Sequence, residues 1–293
     1  MMHGVKLWLH NFLLSYYPKI VISRKWKRVF GNKIDWENPR DINEKIQWLL
    51  VNTDTSEWSR LADKKKVRDY VKDCGLEHLL IPLYGTWEDV DLIPYEELPQ
   101  KFVLKCNHDS GSTKIIDKSV GYDKEELKEF YNKKLNRNYG INGELHYSNI
   151  KPRCIIAEKY LEQEDKSLSS SIIDYKIWCF DGRPYYIMTC HNRKDHSLSL
   201  NVFDLDWKNH PEFCLFNDIY HDGKGEVPKP SSFDDMLQAA AVLSEGFPEV
   251  RVDFYEVGGK LYFGEMTFTS MCGMMRYYAP DFLKHLGDLI VLP

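Results

Sequence analysis

Two carboxylates interrupt a run that otherwise reads as a β-hairpin: Arg251-Val252-Asp253-Phe254-Tyr255, then Gly258-Gly259, then Leu261-Tyr262-Phe263-Gly264-Glu265-Met266-Thr267. Two apolar-rich strands around a glycine turn predict an antiparallel pair. Side chains alternate along a strand, so the parity of the connecting loop decides which residues share a face. An odd-length loop, such as a three-residue turn with Gly259 left-handed, places Arg251, Asp253, Phe263 and Glu265 together. A two-residue loop places Asp253 and Glu265 on opposite faces. Two carboxylates beside an arginine on the floor of a sheet suggest a hard divalent cation with a phosphate group, because unpaired buried carboxylates are costly. A ladder of surface ion pairs is the alternative.

Composition narrows the class. At 293 residues, 43% hydrophobic and 14% aromatic, the chain can bury one large core or two closely packed ones. No apolar run approaches the ~18 residues of a membrane-spanning helix, so none is expected. No signal peptide is expected either, since a small-residue cleavage site is missing. The seven cysteines, at 74, 106, 154, 179, 190, 214 and 272, include no C-x-x-C pair. That disfavours a zinc ribbon or a dithiol redox site and suits a reducing cytoplasm.

The net charge of −5 is unevenly spread: residues 1–34 hold Lys6, Lys19, Arg24, Lys25, Lys27, Arg28 and Lys33 and no acid, leaving −12 elsewhere. A general nucleic-acid binder is therefore disfavoured. The basic arm interleaves Trp8, Leu9, Phe12, Leu13, Leu14, Tyr16, Tyr17 and Trp26 with its charges. That pattern fits an interfacial segment on anionic lipid, at the inner face of the plasma membrane, or a helix packed on the main body with its lysines solvated.

Along the chain, Asn38-Pro39-Arg40-Asp41 predicts a turn into a helix with Ile42, Ile46, Leu49 and Leu50 on one face. A second helix is expected over 59–74, closed by Gly75. An extended segment covers 79–85; strands are expected over 102–105, 114–116 and 154–158, with a charged helix over 123–138. A hairpin is expected over 172–191 across Asp181-Gly182, then a surface stretch marked by Pro211, Pro228 and Pro230, and a helix near 232–245 before the acidic hairpin. This order implies an α+β fold with antiparallel sheets.

Three further constellations bear chemistry. Lys105 ends a strand and is followed by Asp109-Ser110-Gly111-Ser112-Thr113 and Lys114. Glycine lets backbone N–H groups approach phosphate oxygens, hydroxyls add donors and the lysines add charge; a plain hairpin turn with flanking lysines has the same pattern. Glu158-Lys159-Tyr160-Leu161 runs into the acidic stretch holding Glu164 and Asp165. It could offer backbone groups to an adenine edge and a carboxylate to ribose, or be a solvated turn. In Asp174-Tyr175-Lys176-Ile177-Trp178 alternation sets Asp174, Lys176 and Trp178 on one face, where the lysine could meet phosphate or simply pair with the aspartate. There is no Walker A loop, H-E-x-x-H, G-x-S-x-G, G-x-G-x-x-G or kinase motif set.

The order of these pieces resembles the ATP-grasp superfamily, and more narrowly its TupA-like (teichuronopeptide biosynthesis) branch. The resemblance runs from about Asn38 to the end through Asn43-Glu44-Lys45, Ala62-Asp63-Lys64, Ile81-Pro82-Leu83, Phe102-Val103-Leu104-Lys105-Cys106-Asn107-His108, Tyr175-Lys176 and the Arg251 to Thr267 hairpin. It implies an ATP-grasp fold, with a basic arm (1–34), a helical N-terminal region (35–100), a small α+β lid (101–160) and a larger antiparallel-sheet domain (161–293) holding the metal site. ATP and Mg²⁺ are the implied cofactors. Lys105 would contact the α/β-phosphates under a loop from Asp109 to Thr113 with Lys114; Glu158, Lys159, Tyr160 and Leu161 would form the adenine hinge, and Glu164 or Asp165 would meet ribose. Lys176 resembles the second phosphate-binding lysine, Asp253 and Glu265 the metal ligands, and Arg251 the group steadying the transferring phosphoryl. Thr267 stands where many relatives have an asparagine metal ligand.

The implied reaction joins a carboxylate to an amine through an acyl phosphate. Its implied partners are an amino acid and a cell-surface glycan or peptide polymer. A sugar kinase, a polysaccharide glycosyltransferase and a non-catalytic binding module are the alternatives.

Overall fold

The computed structural model describes residues 12–14 and 16–293. Helix α1, Pro18–Phe30, begins at a proline and ends at left-handed Gly31. Its Ile22 and Trp26, four residues apart, are buried in the main core, so this part of the basic arm is a packed helix. Residues 1–11 of the arm lie outside the described residues. Among the described residues no helix is long and apolar enough to cross a membrane.

Helix α2, Ile42–Asn52, is capped by Asp41, whose side chain accepts from Glu44 N, and it buries the expected face of Ile42, Ile46, Leu49 and Leu50. The single helix expected over 59–74 is two: α3, Ser56–Ala62, and α4, Val67–Asp73. Asp63 breaks it. Asp63 adopts an extended backbone, and its buried carboxylate accepts from Lys65 N and from Asn107 Nδ2. Periodicity alone could not show this, because the competing partner lies 44 residues away.

Strands β1 (Leu83–Trp87), β2 (Lys101–Cys106), β3 (Lys114–Asp117) and β4 (Ile155–Lys159) form a small antiparallel sheet in the order β1-β4-β2-β3. Helix α5, Lys124–Leu135, capped by Asp123, packs its Leu127 and Tyr131 into a core with Phe102, Leu104, Ile155 and Ala157. Alternation then sends Lys105 and Glu158 to the face away from α5.

The second sheet has the order β10-β9-β5-β6-β7-β8 and is antiparallel except at β7–β8. Its strands are β5 (Asp174–Phe180), β6 (Arg183–Lys194), β7 (Ser197–Phe203), β8 (Tyr220–Asp222), β9 (Val250–Val257) and β10 (Lys260–Thr267). Helix α6, Phe233–Ser244, lies across β5, β6 and β9. The face of Ile177 and Val252 packs beneath α6, and the opposite face carries Lys176, Arg251 and Asp253. Helix α7, Pro280–Asp288, packs on α2. The architecture is α+β with two mostly antiparallel sheets, as expected.

The acidic hairpin has a two-residue turn: Val257 pairs with Lys260 across Gly258 and Gly259, whose φ values are +57° and +72°. Parity alone would then set Asp253 opposite Gly264. A β-bulge at Gly264 restores the register, so Glu265 faces Asp253 while Phe263 pairs with Phe254. Of the two loops considered the turn is the two-residue one, yet the bulge gives the shared acidic face that the odd loop would have given; Phe263 leaves that face.

Candidate active site

The floor of the site is a charge network on the open face of the large sheet. Lys176 and Asp253 are direct cross-strand partners, and the buried ammonium donates to Asp253 Oδ2. Arg251 grips the same carboxylate with two bonds, Nε to Oδ1 at 2.7 Å and Nη2 to Oδ2 at 2.8 Å, a bidentate geometry suited to guanidinium. Its Nη1 donates to Ser270 Oγ at 2.6 Å and its Nη2 to Thr267 Oγ1 at 3.1 Å. Thr267 in turn donates to Glu265 Oε1 at 3.2 Å, so this hydroxyl ties Arg251 to Glu265.

Burial alone would lower Arg251's pKa, but the charge of Asp253 and its hydrogen bonds hold it well above the ordinary arginine value. Lys176 is likewise raised: burial opposes its charge, and Asp174 and Asp253 outweigh burial. Glu265 keeps 41% of its side chain exposed. Burial raises its carboxyl, but Lys64, Lys176 and Arg251 bring it below the ordinary range.

Three participants are additions to the sequence reading. Arg193 pairs with Asp174 from the neighbouring strand, and burial, which lowers it, is outweighed by that carboxylate. Tyr255 is held protonated, first by the charge of Asp174 and then by burial. Lys64 donates from Nζ to Asp109 O at 2.6 Å and lowers Glu265 from the side of the small sheet. Lys64 and Tyr255 stand in quoted stretches, and Tyr255 alternates with Arg251 and Asp253; Arg193 is out of step with Met188 and Cys190, the partners of Lys176 and Asp174, and follows left-handed Asn192 (φ +49°), an irregularity that plain alternation does not reveal. Four cations (Lys64, Lys176, Arg193, Arg251) thus face three carboxylates (Asp174, Asp253, Glu265), leaving one positive charge for an anion.

The small sheet supplies a second group. Lys105 Nζ lies 2.6 Å from Glu158 Oε2, and Arg68 reaches Glu158 Oε1 at 3.3 Å. In the loop after β2, Asp109 is buried and turned inward: it accepts from Ser112 Oγ, which itself accepts from Cys106 N at 2.9 Å. Asp109 and Ser112 therefore hold the loop's shape, while Ser110, left-handed Gly111 and Thr113 are exposed. Lys114 is half-buried, 3.7 Å from Glu126 and over the Phe130 ring.

Lys159, Tyr160, Leu161 and Glu164 line a cleft of about 540 Å³ against Val257 and Tyr262. Lys101 Nζ sits 4.2 Å from the centroid of the Tyr160 ring. Asp165 instead closes its own turn, accepting from Ser167 N and Leu168 N. Val257 and Asp253 stand four residues apart on β9, roughly 13 Å at ~3.3 Å per residue, so one extended ligand could span the cleft and the charge network.

Among the described residues no three His, Cys, Asp or Glu side chains form a metal-holding group. The protein offers a facing pair, Asp253 and Glu265, and no described residue hydrogen-bonds Glu265 Oε2. Two carboxylates plus substrate phosphate oxygens are the donor set that Mg²⁺ ordinarily takes. The residues fit that ion. All seven thiols are pushed upward by burial, which leaves a thiolate nucleophile unsupported.

The TupA-like ATP-grasp family matches residues 44–291, and the chain belongs to it. No curated protein matches the chain. Among solved structures, it is similar to D-alanine–D-alanine ligase from Bacillus anthracis complexed with ATP, at 16% identity over 79% of this chain and 65% of that one, with a TM-score of 0.43. It is also similar to the ATP-grasp ligase PsnB complexed with a minimal precursor (11% identity, 81% and 61% covered, TM-score 0.43). A third likeness is to the D-cycloserine synthetase DcsG (15% identity, 80% and 70% covered, TM-score 0.42). The match thus spans just under two thirds of the D-alanine–D-alanine ligase chain.

Proposed function

We propose that the chain is an ATP-dependent carboxylate–amine ligase, with an amino acid and a cell-surface glycan or peptide polymer as its substrates. The single observation that carries this is the bulge-set register that faces Glu265 with Asp253 while Arg251 and Lys176 bind the same carboxylate.

In this reading the cleft along Lys159, Tyr160 and Leu161 takes the adenine, and Glu164 reaches the ribose; Asp165 serves its own turn. Lys105, released from Glu158, meets the inner phosphates, and the exposed part of the 109–113 loop, with Lys114, covers them. Asp253 and Glu265 would hold Mg²⁺, which supplies charge neutralisation to the phosphates. Thr267 orients Glu265 and Arg251 through its two hydrogen bonds. Arg251 and Lys176 stabilise charge as a substrate carboxylate displaces ADP from the γ-phosphoryl group to form an acyl phosphate; an amine then displaces phosphate to give the amide. In this reading the lid is the small sheet, which also takes β1 from the 35–100 region, and the larger domain is the six-stranded sheet. Over 18–30 the arm is a helix whose Ile22 and Trp26 pack into the core.

The test is to incubate the protein with Mg-ATP and panels of amino acids and acidic sugars. ADP and phosphate release that requires both a carboxylate and an amine supports the ligase. ADP release with a phosphorylated hydroxyl as product overturns it.

A further inference from the structure

A second cavity, of about 640 Å³ and within the size range of small-molecule sites, lies between α1 and the segment after β10 that holds Cys272 and Met274. One wall is α1, where Val21, Arg24, Lys25 and Arg28 turn the same way at helical spacing. Arg24 and Arg28 are exposed and meet no carboxylate among the described residues. The remaining wall is largely apolar, with Ile141 and Met274 opposite the helix.

At the cavity's inner end stands Gln47. It is 1% exposed, its Nε2 donates to Cys272 O at 2.6 Å and to Gly273 O at 3.2 Å, and its Oε1 has no hydrogen-bond partner among the described residues. A buried acceptor without a donor is costly unless a ligand or water supplies one. Gln47 holds the segment Ser270–Gly273, in which Met271 and Cys272 have φ values of +52° and +59°, a strained backbone for non-glycine residues. Gly273 is required there, since a Cβ would sit 2.4 Å from Gln47 Nε2. Ser270 of the same segment accepts from Arg251. Cavity and charge network therefore share one short, strained connector.

We propose that this cavity is the acceptor subsite: it binds an acceptor bearing a phosphate or carboxylate on an apolar body, with the anion on Arg24 and Arg28 and a donor group on Gln47. Helix and connector together would present the acceptor's reacting end toward Arg251. This rests on the ligase reading for what the acceptor is, though not for whether the cavity binds. The polar and apolar walls match an amphiphile better than a bare anion, and free and lipid-borne forms share that chemistry.

The experiment titrates full-length protein with monomeric octyl phosphate, with octyl glucoside, and with phosphatidylglycerol vesicles, for wild type and the Arg24→Glu/Arg28→Glu variant. Mg-ATP thermal stabilisation is recorded on the same samples. Saturable octyl phosphate binding, weaker by about tenfold or more in the variant and not matched by octyl glucoside, supports the proposal. Equal binding by both proteins, equal binding of the uncharged glucoside, no binding, or binding to vesicles only would each overturn it. Mg-ATP stabilisation without octyl phosphate binding sinks the subsite alone; the reverse result sinks the ATP reading and leaves the cavity standing.

Discussion

Asp253 is the residue on which the site's charges converge, with Lys176 and Arg251 both donating to it while buried. Removing that carboxylate strands two cations. Asp253→Ala should therefore destabilise the protein by about 3–5 kcal/mol in urea unfolding; a loss below about 1 kcal/mol would mean the pair is not closed as described. Two buried groups outside the hydrogen bonds of the network contribute to the pH dependence of stability. His146 is fully buried with neither ring nitrogen bonded, and burial pulls it from 6.5 to about 3. Its neutral form is favoured on folding, so its stability contribution is complete above 6.5 and is lost as pH falls toward 3. Glu249, buried with no hydrogen-bond partner at either oxygen among the described residues, is raised well above 4.5 by burial against the opposing charge of Arg251, so its contribution is present below 4.5 and is lost as pH rises. Unfolding midpoints against pH should show both limbs. His146→Phe should remove about 2 kcal/mol of the acid loss by pH 5, and Glu249→Gln should flatten the alkaline limb; an unchanged profile in both variants contradicts the assignment.

At the scale of elements, the hairpin depends on one glycine. A Cβ on Gly264 would lie 2.9 Å from Asp253 O and 3.1 Å from Tyr255 Cε2. Gly264→Ala should cost about 1–3 kcal/mol and displace Glu265, reducing nucleotide-dependent stabilisation along with it. Full stabilisation by Mg-ATP in that variant would show that the register is not what positions the acid. The acidic pair was legible in the sequence, but the device that aligns it was not: an odd loop and an even loop plus a bulge give the same pairing. The same limit applies to 59–74, where helical periodicity is continuous and Asn107, far along the chain, captures Asp63 and breaks it. Strand β7, Ser197–Phe203, alternates as Ser-Leu-Ser-Leu-Asn-Val-Phe, a strand signal present in the sequence ahead of the proline-marked surface stretch.

At the scale of the whole molecule, the two sheets have separate cores, and the charge network lies where residues from both converge: Lys64 bonds the loop after β2 and lowers Glu265 on β10. Which residues meet there was only partly legible: Lys64 and Tyr255 lie in stretches quoted from the sequence without a site role, and Arg193 comes from an irregular strand end that carries no motif. The basic arm contributes to the fold as well as to charge: Trp26 is 3% exposed in the large core and donates to Asn32 Oδ1 at 2.9 Å. Trp26→Ala should cost about 3–5 kcal/mol in the same urea assay; a negligible change would return α1 to a peripheral role.

The most direct measurement is the Mg-ATP-dependent shift in melting temperature of wild type against Glu265→Gln. Glu265 is half-exposed, so the substitution should leave the ligand-free protein within about 0.5 kcal/mol of wild type. Wild type should gain about 2.7 kcal/mol at 100-fold excess over Kd, and the variant should lose most of that gain. Equal stabilisation of both proteins, or none of wild type, would contradict a nucleotide site built on Asp253 and Glu265.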